Sequence, residues 1–296
     1  MGGIDAAARR TADSLPTVEI RMGQEVRNIG IPPRPAMLDR IAAEMARDEP
    51  DYRKLAEIVG SDVGLAASVI KVANAPYFGF TKRVRTVSDA LMVLGLKTIA
   101  RTVAGLELQK TFPHVPSLER FWDSSACTAR VAGWLAQQLP RQRSVKADDA
   151  YTFGLFRDCG IPVLMIPFPE YQATLKAANV EEQRSFTEVE DQSLCINHAV
   201  VGAELSEDWM LPEEIHAAIR YHHDLAALQG GVDLPPSSRI LIAVAQVAEH
   251  LIQRHTGLNQ SKEWEKLGAA SLSVLDAGEE DLERWVAACG PVVAGD

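Results

Sequence analysis

The chain has 296 residues, of which 47% are hydrophobic and 24% charged, and its formal net charge is −10. This composition is typical of a globular protein, and the length suits one large domain or two closely joined ones. A net negative charge argues against a broad phosphate-binding surface, so we expect no sequence-general binding of nucleic acid.

Four cysteines are scattered along the chain, at Cys127, Cys159, Cys195 and Cys289. They form no CxxC pair and no zinc-finger spacing, so we expect reduced thiols. No apolar run approaches the roughly 20 residues needed to span a bilayer. The N-terminal residues also lack the hydrophobic core of a signal peptide. We therefore predict a cytoplasmic protein without membrane contact.

Helical periodicity dominates the sequence, and strand-like alternation is nearly absent. A polar tail over residues 1–30 is followed by a proline-rich stretch and an amphipathic helix. Asp51 and Asp62 are predicted to cap the next two helices. Gly95 then separates two further helices. We expect these short helices with tight turns to form one compact lobe over residues 31–115.

The stretch HVPSLE (114–119) is interpreted as a joint between two lobes. Beyond it, residues 119–139 form a predicted long helix with many small side chains, which allow close packing of helices. Further helices complete a second lobe over residues 116–256, and residues 257–296 form a C-terminal helical extension. The predicted fold class is therefore all-α, with two abutting helical lobes.

Candidate metal ligands lie in the second lobe, at Asp158, His198, His222 and His223. Neutral imidazole and carboxylate groups together hold divalent cations that activate water. Because a single histidine in a helical protein is more often a hydrogen-bonded structural residue, the order of these residues is more informative than any one of them. An acid on one helix precedes a histidine on a later helix and a histidine pair at the end of a third.

This order resembles the HD superfamily of metal-dependent phosphohydrolases, whose helical bundle points His and Asp side chains into a shared pocket. The motifs of the first lobe give a more specific resemblance. Its stretches IPPRPAMLDRIA, LAEIVGSDVGLAASVIKVANAPYFGF and TVSDALMVLGLKTIARTV resemble the HDOD domain, an HD-related output domain of bacterial signalling proteins. The resemblance covers residues 31–112 through these motifs and reaches about residue 250 through the HD-like part. It implies that the second lobe is an HD-superfamily-like helical bundle.

Three of the four positions in the metal-binding signature of HD enzymes differ in this chain. The resemblance places Ser124 at the first ligand, Arg157 at the histidine of the His-Asp pair, and Gln246 at the final aspartate. Guanidinium is always protonated and has no lone pair to donate, so Arg157 cannot be a ligand and would repel a cation.

We therefore expect no catalytic residues, no cofactor and no functional metal site. What remains is a vestigial pocket, made up of Ser124, Arg157, Asp158, His198, His222, His223 and Gln246. The alternative is that Arg157 turns outward and leaves a weak divalent-metal site of Asp158 with two or three histidines.

The resemblance implies a non-catalytic signal-transduction module that acts by binding a protein or a ligand. Its expected partners are bacterial signalling proteins, and a nucleotide or small anionic ligand in the vestigial pocket is a further candidate. The competing hypothesis is an enzyme, a metal-dependent phosphohydrolase or cyclic-dinucleotide phosphodiesterase with a reduced metal site. The chain contains no Gly-Tyr-Pro motif, which cyclic-di-GMP phosphodiesterases of the wider superfamily carry.

The side chain of Arg157 is predicted to point into the old ligand cluster and to fill the cation's place. A buried guanidinium needs acceptors, and acids inherited from a metal pocket would supply them. We expect Asp123 or another carboxylate as its partner. Asp158 is a less natural partner, because adjacent residues on a helix diverge by about 100°.

An interaction surface is predicted in the stretch NAPYFGFTKRVRT, at Tyr77, Phe78, Lys82, Arg83 and Arg85. The basic loop could attract an acidic partner electrostatically, although such a loop is often no more than a solvated surface. The two aromatic residues are as well suited to wedging the first lobe against the second.

Overall fold

The structure, a computed structural model, describes residues 17–22, 25–30, 32–75, 83–112, 116–140, 145–258 and 260–295. Helices make up most of this part of the chain, which confirms the predicted all-α class. No helix within the described ranges is long and apolar enough to cross a lipid bilayer.

The exception to the helical architecture is an antiparallel hairpin near the N-terminus, formed by β1 (Thr17–Met22) and β2 (Glu25–Gly30). The prediction of a polar tail over residues 1–30 is therefore wrong for these two segments. Val18, Ile20 and Met22 alternate with polar residues, which is the period of a strand. One run of six residues is a weak signal beside the helical periodicity of the rest of the sequence.

Where the structure describes it, the N-terminal lobe contains four helices, α1 (Ala36–Met45), α2 (Tyr52–Gly60), α3 (Val63–Ala73) and α4 (Val87–Thr111). The carboxylate of Asp51 accepts hydrogen bonds from the N–H groups of Arg53 and Lys54 at the start of α2, and that of Asp62 accepts one from Leu65. Both predicted caps are thus confirmed. Gly95 kinks α4 with a φ of 77°, a left-handed conformation that glycine adopts without steric cost.

The second lobe continues with twelve helices among the described residues. They are α5 (Pro116–Gln138), α6 (Ala147–Phe156), α7 (Gly160–Met165), α8 (Tyr171–Val180), α9 (Phe186–Leu194), α10 (His198–Asp208), α11 (Glu213–Tyr221), α12 (Leu225–Gln229), α13 (Pro236–Thr256), α14 (Glu263–Leu275), α15 (Glu279–Ala288) and α16 (Gly290–Ala294). Helix α5 packs against both α6 and α13, and these three helices enclose much of the core.

Small residues bring α5 and α6 close together, as the sequence predicts. A Cβ atom on Gly154 would lie 2.9 Å from the Cα atom of Ala129, nearer than such atoms approach in proteins. The helices of the predicted C-terminal extension pack back onto this bundle, α14 against α13 and α16 against α5.

Polar bonds join the two lobes at the start of α6. Thr98 on α4 donates a hydrogen bond of 2.9 Å to Asp148, and Arg101 forms ion pairs with both Asp148 and Asp149. The same two acids lie in the first turn of α6, where a negative charge also stabilises the helix dipole. The lobes are therefore connected at the amino end of the helix whose other end leads into the vestigial pocket.

Candidate functional site

The centre of the vestigial pocket is the turn between α6 and α7. Helix α6 ends at Phe156, and Arg157 and Asp158 follow before α7 begins at Gly160. A Cβ atom on Gly160 would lie 2.1 Å from the backbone oxygen of His198. Only glycine therefore allows this turn to approach the start of α10 so closely, and the approach brings Asp158 to His198.

Three imidazoles surround Asp158, and each is held by its Nδ1 atom. The Nδ1 atom of His198 lies 2.7 Å from a carboxylate oxygen of Glu190, and that of His222 lies 2.7 Å from the backbone oxygen of Ile219. The Nδ1 atom of His223 lies 2.6 Å from Glu263. Acceptors at these positions favour the tautomer with the proton on Nδ1 and leave the Nε2 atoms for the centre of the pocket.

The ligand atoms of Asp158, His198, His222 and His223 all lie within 4.8 Å of one another. The Nε2 atoms of His198 and His222 are 3.2 Å apart, and Asp158 Oδ1 lies 3.2 Å from the second and 3.5 Å from the first. Ligands of a tetrahedral zinc ion with bonds near 2.05 Å are separated by about 3.3 Å. These three atoms therefore fit one divalent ion of this size.

Arg157 points inward and is buried, with 5% of its surface exposed. Its Nη2 atom lies 3.0 Å from Asp158 Oδ2 and 3.1 Å from Glu249 Oε1, and Nη1 lies 3.2 Å from Glu249 Oε2. The predicted inward orientation is confirmed, but the guanidinium bonds Oδ2 of Asp158 and does not fill the cation's place between Oδ1 and the histidines. Of the two alternatives for its partner, Asp123 is wrong because this residue is exposed on α5, and another carboxylate, Glu249, is confirmed.

The expectation that Asp158 would be the less natural partner is also wrong. It assumed that both residues lie inside a helix, whereas α6 ends before them and the turn lets the long arginine side chain fold back onto its neighbour. The guanidinium bonds Oδ2 of Asp158, while Oδ1 faces the histidines. Arg157 therefore neutralises the side of the carboxylate that faces away from the histidines. It does not bond the triangle formed by Asp158 Oδ1 and the Nε2 atoms of His198 and His222.

The charges of the pocket compensate each other internally. Burial raises the pKa of Asp158, but the charge of Arg157 and the bonds from His198 and His222 lower it well below its usual range. Burial lowers the pKa of His198, but Glu190 and Asp158 outweigh this effect and raise it to about 10. Burial and the neighbouring His223 lower the pKa of His222 to about 3. In the absence of metal, His198 therefore carries a proton and provides a second internal cation beside Arg157.

The other two departures from the metal-binding signature lie on the surrounding helices. Gln246 on α13 is buried, and its amide donates a hydrogen bond of 3.3 Å to the backbone oxygen of His222. Ser124 is half-buried on α5, the helix that packs against both α6 and α13.

Sequence reasoning missed the carboxylates that hold the pocket together, Glu190, Glu249 and Glu263. Glu249 stands three residues after Gln246, which places both on one face of α13, and this spacing is a signal that could have identified it. Glu263 opens α14, in the extension that lies outside the family resemblance. Glu190 also accepts a hydrogen bond from the buried hydroxyl of Tyr171.

A cavity of about 800 Å³ includes His223 and so borders the pocket. Among the described residues that line it, carboxylates outnumber the cations Arg220 and Lys266; they are Glu182, Glu188, Asp191, Asp224, Glu263 and Glu265. We call it the acidic cavity. Its charge opposes the approach of an anionic phosphoester.

The predicted interaction surface is described only in part. Tyr77, Phe78 and Lys82 lie outside the described residues. Arg83 and Arg85 are exposed on either side of the buried Val84. These two arginines also line a second cavity, between the lobes.

Comparison with known proteins supports the resemblance on both sequence and fold. A family model for the HDOD domain matches residues 31–225. An uncharacterized protein of Treponema pallidum (strain Nichols) is 28% identical over 201 residues, which cover 66% of this chain and 38% of that protein. The chain therefore spans less than half the length of this relative.

Two solved structures share the fold over 98% of this chain. One is an HDOD domain protein of unknown function from Geobacter sulfurreducens, 21% identical, with a TM-score of 0.62 and 95% of its own chain covered. The other is a Shewanella amazonensis SB2B protein provisionally named a phosphohydrolase, 19% identical, with a TM-score of 0.65 and 96% covered. Identities this low show the fold alone.

Proposed function

Because the chain belongs to the HDOD domain family, we propose that it is a non-catalytic module of bacterial signal transduction that acts by binding a protein or a small ligand. The observation that carries this proposal is the buried guanidinium of Arg157, bonded to Asp158 at the position of the His-Asp pair. It gives Asp158 a permanent internal counter-ion. A metal cation about 4 Å from the guanidinium would be destabilised by around 4 kcal/mol for each unit of its charge, at an effective dielectric constant near 20.

The acidic cavity supports the same proposal. A hydrolase for phosphoesters needs positive groups that attract the substrate and stabilise its developing charge. The side of the pocket that includes His223 instead has an excess of carboxylates. Gln246 is also a poor replacement for a carboxylate ligand, because its amide oxygen carries no negative charge.

The second candidate function, a metal-dependent phosphohydrolase or cyclic-dinucleotide phosphodiesterase with a reduced site, is favoured by one specific observation. Asp158, His198 and His222 present three atoms at the spacing of metal ligands, and the acceptors at Nδ1 hold both histidines as ligating histidines are usually held. These residues would hold a single divalent ion, which supplies Lewis-acid chemistry when bound. Arg157 and the acidic cavity remain the arguments against turnover.

Metal content distinguishes the two candidates. We expect purified protein to contain well under one divalent ion per chain, and chelation to leave its melting temperature unchanged, because Arg157 and protonated His198 already compensate the carboxylates. Elemental analysis before and after EDTA treatment measures this. Arg157→His, which restores the His-Asp pair, should raise the zinc content, and Arg157→Lys is the matched control that keeps the charge.

One or two tightly held ions per wild-type chain, together with hydrolysis of simple phosphoesters that EDTA abolishes, would contradict the proposal and establish the second candidate. Tight metal without hydrolysis would overturn the argument from Arg157, and the module would then be metal-binding but still non-catalytic.

We also propose that the predicted interaction surface contributes to partner binding. Charge reversal of Lys82, Arg83 and Arg85 to glutamate should weaken capture of a signalling partner and leave the melting temperature nearly unchanged, because Arg83 and Arg85 are exposed. Capture on immobilised protein, followed by mass spectrometry, measures this. Normal capture by the triple variant would exclude this surface, and loss of the fold would show that the segment is structural.

A further inference from the structure

A cleft of about 1130 Å³ lies between the N-terminal lobe and the α5–α6 pair. We call it the interlobe cleft. Residues of α3, α4, α5 and α6 line it, and Ala294 and Gly295 close one side at the C-terminal end of α16. It is larger than the acidic cavity, and the ligand groups of the vestigial pocket are not among its described lining residues.

The charge of the interlobe cleft is strongly positive. Its described lining includes four cations, Lys71, Arg83, Arg85 and Arg130, and no carboxylate. Lys71, Arg83 and Arg85 form no ion pair with the carboxylates of the described chain, although the protein has a net charge of −10. An unneutralised concentration of positive charge in an acidic protein favours an anionic ligand.

The side chain of Asn74 fixes the backbone segment that carries two of these cations, Arg83 and Arg85. The amide nitrogen of Asn74 donates hydrogen bonds of 2.8 Å to the backbone oxygen of Ile70 and 2.9 Å to that of Val84, and its Oδ1 accepts one of 2.9 Å from the N–H of Val84. Because Val84 is also buried, the backbone that carries Arg83 and Arg85 is held against the end of α3, about one turn from Lys71, while the side chains themselves are exposed.

Arg130 approaches the cleft from α5. Its guanidinium donates to the backbone oxygens of Val292 and Val293, at 3.4 and 3.3 Å, so the C-terminal helix orients it. Among the described residues, no carboxylate forms an ion pair with this guanidinium, and the carbonyl groups that it bonds carry only partial negative charge. Tyr151 and Leu155 of α6 line the cleft as well.

The remaining lining is mostly apolar and includes Ile70, Val72, Leu106 and Leu155, with uncharged polar groups such as Ser68 and Gln109 among them. Pockets for small organic ligands are usually about 300–1,000 Å³ in volume and combine apolar walls with a few fixed polar groups. A free phosphate would use only a small part of this space. We propose that the interlobe cleft binds an organic phosphate, with its phosphate groups on the four cations and its organic portion against the apolar wall.

Calorimetric titration at low ionic strength tests this proposal with a panel of mono- and triphosphates of adenosine and guanosine, and with inorganic tripolyphosphate. We expect one nucleotide per chain to bind more tightly than tripolyphosphate. Arg83→Glu/Arg85→Glu should weaken that binding by at least about tenfold, because two attractive charges become repulsive. The melting temperature of the double variant should equal that of the wild type. Lys71→Glu, which changes a third cation of the cleft, serves as a second variant.

The matched control is Arg40→Glu/Arg53→Glu, which makes the same change of net charge at two exposed arginines of the same lobe that do not line the cleft. If the control weakens nucleotide binding equally, the effect is due to the overall charge of the protein, and the proposal is overturned. Absence of binding across the panel would also overturn it, as would tripolyphosphate binding as tightly as the nucleotides. The proposal rests on the ligand-binding part of the proposed function, and none of these results bears on metal content. Because Arg83 and Arg85 also belong to the predicted interaction surface, Lys71→Glu, which lies outside that surface, separates loss of ligand binding from loss of partner capture.

Discussion

Replacement of Arg157 by alanine should lower the free energy of unfolding by about 3–5 kcal/mol, the range for removal of one partner from a buried ion pair. The guanidinium is the shared counter-ion of Asp158 and Glu249 and is itself buried. Its loss would leave two carboxylates facing each other with only His198 to compensate the first. Urea unfolding of EDTA-treated protein measures the change, since chelation prevents a metal from replacing the lost charge.

Two further variants separate the charge from the geometry. Arg157→Lys keeps the charge but loses the planar fork that bonds both acids at once, so we expect a smaller loss. In a double-mutant cycle, Arg157→Ala and Glu249→Gln should be strongly non-additive because they act on the same pair. An alanine variant as stable as the wild type would show that the network does not contribute to stability.

The metal-free protein should lose stability between pH 7 and pH 10. Burial alone would lower the pKa of His198, but Glu190 and Asp158 raise it to about 10 in the folded state, against an ordinary value of 6.5. The stabilisation is fully present below pH 6.5 and is lost as the pH rises through 10, because only the folded chain keeps this proton. The slope is at most about 1.4 kcal/mol per pH unit for one proton.

Below pH 6.5 the stability changes with pH in the opposite direction and falls as the pH falls. Burial and His223 lower the pKa of His222 to about 3 in the folded state. Below pH 6.5 this histidine is therefore protonated in the unfolded chain but stays neutral in the folded chain, which favours unfolding. Asp158 and Glu263, whose pKa values are lowered, add to the loss of stability as the pH falls further. Stability should therefore be greatest near neutral pH.

The control for the alkaline limb is His198→Gln, which should be less stable than the wild type at pH 7. Between pH 7 and 10 its stability should change less, because the group that releases the proton is gone. Chemical unfolding from about pH 4 to pH 10, with EDTA present throughout, measures both the acid and the alkaline loss of stability. An unchanged alkaline slope in the variant would assign the loss to other groups.

The sequence predicts the N-terminal lobe well because its signals are local. Caps such as Asp51 and Asp62 act within three residues, and Gly95 determines its own backbone conformation. The hairpin was missed because only its first strand alternates, over six residues, while the apolar residues Val26 and Ile29 of the second are three positions apart.

The vestigial pocket was predicted only in part, since its partners come from distant segments. That Arg157 would turn inward follows from the need of a buried guanidinium for acceptors. Its partner Glu249 is 92 residues away, and Glu263 reaches His223 from 40 residues away, so no local pattern links either acid to its partner. The distances among Asp158 Oδ1 and the Nε2 atoms of His198 and His222 likewise depend on how α7, α10 and α11 pack around Gly160.

Helix α6 has a position that connects these separate features mechanically. Its first turn is bonded to α4 through Asp148 and Asp149, Tyr151 and Leu155 face the interlobe cleft, and its last residue leads directly into Arg157. Ten helical residues span about 15 Å and behave as a short stiff rod. A shift of this rod along its axis, caused by a ligand in the cleft or by rotation of one lobe, would displace the Arg157–Asp158 turn by the same distance. The geometry of the vestigial pocket would then depend on the relative position of the two lobes.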